Sequence, residues 1–85
     1  MDITIDLFGA ARQLSDRATL TISVPAGATI AHVHAAIRAL PAAQPRALQA
    51  IIAQAVFSTE DDILHPATPV CHGQRLAILP PVAGG

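Results

Sequence analysis

Asp2-Ile3-Thr4-Ile5-Asp6-Leu7 alternates residue by residue, with Ile3, Ile5 and Leu7 on one side and Asp2, Thr4 and Asp6 on the other. Period 2 with β-branched residues predicts a half-buried strand. The alternation returns when Leu20, Ile22 and Val24 interleave with Thr19, Thr21 and Ser23. The connector between them, Gly9 to Asp16, is short, so the two strands are expected to pair as an antiparallel hairpin. Pro25-Ala26-Gly27 supplies turn chemistry after the second strand. Thr29 then stands where a helix N-cap belongs. Ile30, Val33, Ile37 and Leu40 recur at helical spacing and predict an amphipathic helix of about three turns, stopped by Pro41.

Further along, Arg46 to Gln54 predicts a second, shorter helix with Leu48, Ile51 and Ile52 on its apolar face. Ala55 to Thr59 reads as a short strand. Ile63-Leu64 and Thr68-Pro69-Val70 read as short extended pieces, with prolines suited to a sheet edge. His72-Gly73 makes a turn into a last strand, Arg75 to Leu79. A right-handed crossover through the main helix lays that last strand beside the first. The order implies the α+β class: a small mixed sheet with one main helix packed across it. With 85 residues, no repeat and no long linker, the chain is expected to form one domain over residues 1–79 with a tail over residues 80–85.

Composition narrows the function. Two Phe and neither Trp nor Tyr leave the core to Ile, Leu and Val. The net charge is −1, and the five basic residues are scattered arginines, which argues against a nucleic-acid surface. No apolar run approaches the 18 or so residues of a membrane span. The start, Met1-Asp2-Ile3-Thr4, lacks the basic and apolar blocks of a signal peptide, so a cytoplasmic location is expected. There is no lysine, so the chain cannot accept an isopeptide bond on a lysine side chain.

The sequence closes on Pro80-Pro81-Val82-Ala83-Gly84-Gly85. Two prolines hold φ, remove backbone donors and favour an extended run, making a stiff base. Gly84-Gly85 makes a slim, flexible tip without a Cβ. From Val82 to Gly85 such a tip spans roughly 13 Å when extended. A frayed end often carries Gly-Gly too, but here the apolar run Leu76-Ala77-Ile78-Leu79 leads straight into the prolines with no polar linker. The arrangement suits a terminal carboxylate delivered into another protein's active site.

The remaining reactive side chains carry weaker signals. Cys71 is the single cysteine, so no internal disulfide forms, and its neighbour His72 does not make it a nucleophile, since adjacent residues often point apart. His32 and His34 lie two apart on the predicted helix and face different ways, and with His65 and His72 they read as solvated surface histidines, so no metal site is expected. Glu60-Asp61-Asp62 lacks the alternate spacing and glycine of a calcium loop and reads as a solvated turn. Arg12 either pairs with Asp16 at i+4 or meets a partner.

Leu7-Phe8-Gly9-Ala10-Ala11-Arg12-Gln13-Leu14, Gly73-Gln74-Arg75-Leu76-Ala77 and the Pro-Pro-Val-Ala-Gly-Gly ending together resemble the MoaD family, the sulfur-carrying small subunits of molybdopterin synthase in the MoaD/ThiS superfamily. The resemblance implies the β-grasp, or ubiquitin-like, topology. It implies a carrier with no catalytic site of its own and no bound cofactor. An E1-like, MoeB-like adenylyltransferase using ATP would adenylate Gly85, and a persulfide sulfur donor would convert it to a thiocarboxylate, a 1-thioglycine. The tail Pro80, Pro81, Val82, Ala83, Gly84 would enter a MoaE-like large subunit, in a heterotetramer of two copies of each. There sulfur would pass to cyclic pyranopterin monophosphate in molybdenum cofactor biosynthesis. Phe8, Leu79 and Val82 are the expected partner contacts. A ThiS-like carrier for thiamine or another sulfur metabolite, and a ubiquitin-like protein modifier, are the alternatives.

Overall fold

The structure, a computed structural model, describes residues 1–81. Five strands form one mixed sheet: β1 (Asp2–Leu7), β2 (Thr19–Ser23), β3 (Val56–Ser58), β4 (Ile63–Leu64) and β5 (Arg75–Leu79), in the order β2-β1-β5-β3-β4. β1 and β2 form the expected antiparallel hairpin, with Ile3 opposite Ile22 and Ile5 opposite Leu20. β5 lies beside β1 in parallel, placing Ile5 next to Leu76 and Leu7 next to Ile78. β3 pairs antiparallel with β5 and with β4. This is the β-grasp arrangement.

Two helices cover one face of the sheet, α1 (Ile30–Arg38) and α2 (Arg46–Ala53). Both helices expected from the sequence are present, and the second, with 8 residues, is slightly shorter than the first, with 9. The core between sheet and helices is aliphatic. Ile3, Ile5, Val33, Ile37, Ile52 and Ile78 have no exposed surface, and Phe57 is the one aromatic ring among the buried side chains. At about 25 cal/mol per Å², full burial of each such side chain contributes about 1.5–3 kcal/mol against the entropy of ordering the chain.

Local chemistry sets the helix ends. Thr29 is extended, and its N–H donates to His32 Nδ1 at 2.9 Å. The Thr29 hydroxyl lies 3.0 Å from the same nitrogen. His32 thus takes the place that Glu or Gln holds in a capping box. α1 stops two residues short of the expected Leu40. Leu40 precedes Pro41 and is driven to extended backbone (ψ 143), because the proline ring clashes with a helical predecessor. Pro41 itself opens a short 3₁₀ turn, Pro41–Ala43.

The segment expected to be a plain connector is a 3₁₀ helix, Gly9–Leu14. Ala11 and Leu14 are buried, three apart, as three residues per turn requires. In that geometry Arg12 and Asp16 do not meet, and both are exposed. The single ion pair among the described residues instead joins Arg75 to Asp6. Among the described residues no helix is long and apolar enough to cross a membrane.

Candidate functional site

The tail leaves the sheet where β5 ends. Leu79 is the last paired residue, opposite Val56, and Pro80 has no N–H with which to continue the ladder. Pro80 is half-buried because the chain just after β1 comes up against it. Gly9 has φ +54, in the left-handed region, and a Cβ there would stand 3.3 Å from Pro80 Cγ. Glycine thus allows both the turn out of β1 and the close approach of the first tail proline. Phe8, Gly9 and Ile51 of α2 join Leu79, Pro80 and Pro81 around an open apolar depression of ≈ 650 Å³. The stiff base read from the two prolines is therefore seated on the domain.

Phe8 is 50% exposed, so it stands outside the core and beside the tail base. Leu79 is half-buried on the uncovered face of the sheet. The expected tail residues Val82, Ala83, Gly84 and Gly85 lie outside the described residues. The structure brings Phe8, Leu79, Pro80 and Pro81 together.

The uncovered face is defined by register. Asp6 sits beside Ala77, Ala77 opposite Ser58, and Ser58 opposite Ile63, so one row crosses four strands. The next row pairs Leu79 with Val56. Val56 is 42% and Ile63 64% exposed, which leaves apolar surface on the β3–β4 side. On the β1 side the same face is charged. Arg75 Nε donates to Asp6 Oδ2 at 2.8 Å and its terminal NH₂ to Oδ1 at 2.6 Å. These hydrogen bonds hold the Asp6 carboxyl below the usual carboxylate range.

The sequence missed Gly9, Ile51, Val56 and Ile63 as parts of this surface. Ile51 shares the apolar stripe of α2 with Leu48 and Ile52, and only the packing shows that it turns toward the tail base. The exposure of Val56 and Ile63 depends on strand order, which alternation alone does not carry.

The other reactive residues make structural hydrogen bonds, Cys71 through its backbone alone. His72 Nδ1 accepts the Asp2 N–H at 3.0 Å, and Cys71 gives its N–H to Gln74 Oε1 at 2.9 Å while standing exposed. His34, expected on the surface, is half-buried. Its Nε2–H donates to the Ile52 carbonyl at 2.6 Å, and its ring meets Phe57 edge-on at 5.3 Å, tying α1 to α2 and β3. Burial next to a carbonyl and a ring gives the histidine a packing role that helical spacing did not reveal.

The model of the ThiS family matches residues 5–85. Among solved structures, SAMP1 from Haloferax volcanii superposes with a TM-score of 0.74 at 20% identity, covering 100% of both chains. A crystal structure of H. volcanii small archaeal modifier protein 1 gives 0.72 at 19% identity, covering 95% of this chain and 98% of that one. At such identity the likeness speaks for the fold alone. No curated protein gives a significant sequence match.

Proposed function

Since this chain belongs to the ThiS family of ubiquitin-like carriers and modifiers, we propose that it is a sulfur carrier and, more narrowly, the small subunit of a molybdopterin synthase. The observation that carries the reading is the tail base. Pro80 and Pro81 are seated against Phe8 and Gly9, beside an apolar patch, so the chain leaves β5 through a stiff base held on the domain. A plain interaction module has no need of that geometry. The narrower assignment is supported by the Pro-Pro-Val-Ala-Gly-Gly ending.

The chemistry follows from the weakness of a carboxylate as an electrophile. An E1-like partner would join the Gly85 carboxylate to AMP, releasing pyrophosphate. Persulfide sulfur would displace AMP to give an acyl disulfide, and a second thiol would cleave it to the thiocarboxylate. The sulfur then serves as a nucleophile inside a MoaE-like subunit. The groups that stabilise charge in these steps belong to the partners.

A second reading has one observation behind it: the structural likeness to a protein named a modifier. In that case Gly85 would be joined to lysine on a target protein. Intact-mass spectrometry of the protein from its native host separates the readings. A carrier shows a gain of about 16 Da at Gly85, with oxidation of Met1 excluded by fragmentation. A modifier is found covalently attached to larger proteins. Removing Gly85 should abolish sulfur transfer while the circular dichroism spectrum stays unchanged; normal product formation by the shortened chain overturns the reading.

A further inference from the structure

We infer that the depression between β1, β5 and the β3–β4 turn docks an arginine- or lysine-bearing segment of the enzyme that activates the tail. The inference rests on the carrier reading above. It names the activating enzyme because any carrier of this kind must first deliver its tail there, whichever pathway the sulfur enters later.

Three observations meet in this depression. Asp6, Glu60 and Asp61 bring carboxylates to it, and Arg75 is its only lining cation. Arg75 is committed to Asp6 through two hydrogen bonds, whereas Glu60 and Asp61 are exposed and form no ion pair among the described residues. The depression is thus acidic by two uncompensated carboxylates in a chain whose net charge is only −1.

Ser58 is the second, independent feature. It is 8% exposed and lines the depression, and its hydroxyl makes no hydrogen bond among the described residues while keeping access to solvent. A hydroxyl in that position is a ready acceptor for a guanidinium or ammonium proton. Third, the surroundings are apolar. Ala77 is beside Ser58 in the row, Ile63 is across from it, and Phe8 lines both this depression and the tail base. A partner seated here meets the tail where it leaves the sheet. The fit is to a basic side chain whose aliphatic stem lies along Ala77 and Ile63 while its head reaches the carboxylates.

The test uses the full-length chain with the E1-like adenylylating enzyme of the same host. Affinity is measured by calorimetry at about 50 mM and about 500 mM salt. The double variant E60Q/D61N should bind about threefold to tenfold more weakly at low salt, and E60K/D61K more weakly still, with the gap closing at high salt. Asp16→Asn, in the connector before β2 and outside the lining of the depression, should bind like the wild type. Circular dichroism confirms that each variant is folded. A folded E60K/D61K variant with wild-type affinity at low salt overturns the inference. So does sedimentation showing that wild-type chains self-associate through this face and that charge reversal abolishes it, which assigns the depression to a second copy. A wild-type chain that gains no sulfur at Gly85 with ATP, enzyme and sulfur donor overturns the carrier reading, and this inference with it. A sulfur-loaded wild type alongside charge-insensitive binding overturns the docking site alone.

Discussion

The two faces of the sheet are written by alternate residues of the same strands and have been put to different uses. On the covered face, Ile3 and Ile5 of β1 and Leu76 and Ile78 of β5 are sealed under α1 and α2. On the open face, Asp6, Ala77, Leu79, Ser58 and Val56 stand between charge and apolar surface. A face kept only for solvation would carry polar residues at Val56, Ile63 and Leu79. Their apolar character, next to the exit of the tail, marks a surface meant to be covered by something else. Stability is concentrated on one side, and the recognition proposed above falls on the other, one residue apart along β5.

The strongest way to break that comparison is to truncate neighbours. Ile78→Ala removes a side chain with no exposed surface and should cost about 2–5 kcal/mol in urea unfolding. Leu79→Ala, next along the strand and half-buried, should cost less than about 1 kcal/mol. Equal losses would mean that the open face is a second core. The same pair sharpens the functional half of the comparison. Leu79→Asp should leave the circular dichroism spectrum intact yet weaken binding to the MoaE-like subunit proposed as its partner by about tenfold or more. Unchanged affinity in calorimetry removes Leu79 from the interface.

Gly9→Ala probes the joint between the faces. An alanine at φ +54 is strained, and its methyl would press on Pro80 Cγ at 3.3 Å. The expected cost is about 1 kcal/mol in unfolding. The loss of sulfur transfer should exceed what that destabilisation explains, because the tail base is pushed off its seat. A variant destabilised as expected but with full turnover would show that the seat does not aim the tail.

Much of this was legible in the chain because punctuation and period agreed. β5 runs from Arg75 to Leu79 as read, since Gly73 turns the chain before it and Pro80 ends pairing after it. Thr29 marked the start of α1. The Gly9–Leu14 helix was not legible, because an Ala-rich run has no 3.6 period and its 3₁₀ repeat shows only in the burial of Ala11 and Leu14. For the site, the prolines announced a stiff base, but its seat joins Gly9 to Pro80 from opposite ends of the chain. Phe8 follows the last paired residue of β1, where alternation no longer assigns a face. Which open-face residues are charged and which bare became visible only when strand order set Asp6 beside Ala77 and Ile63 across from Ser58.

The smallest effect concerns the Asp6–Arg75 pair, which joins β1 to β5 on the open face one diagonal from direct register. The Arg75 side chain is 64% and that of Asp6 28% exposed, so water screens the pair and its contribution is slight. Its sign is still fixed. Hydrogen bonds from Arg75 lower the folded-state pKa of Asp6 below the unfolded value of about 3.9. A depressed carboxylate contributes stability that is complete above the unfolded pKa and is lost as pH falls through the folded one. Asp6→Asn should therefore be slightly less stable than the wild type near pH 7, with the difference shrinking below about pH 4. Added salt should shrink it too. Urea unfolding at several pH values checks this. A large, pH-independent loss would mean that Asp6 acts through packing, and the open face would then share the structural burden assigned here to the covered one.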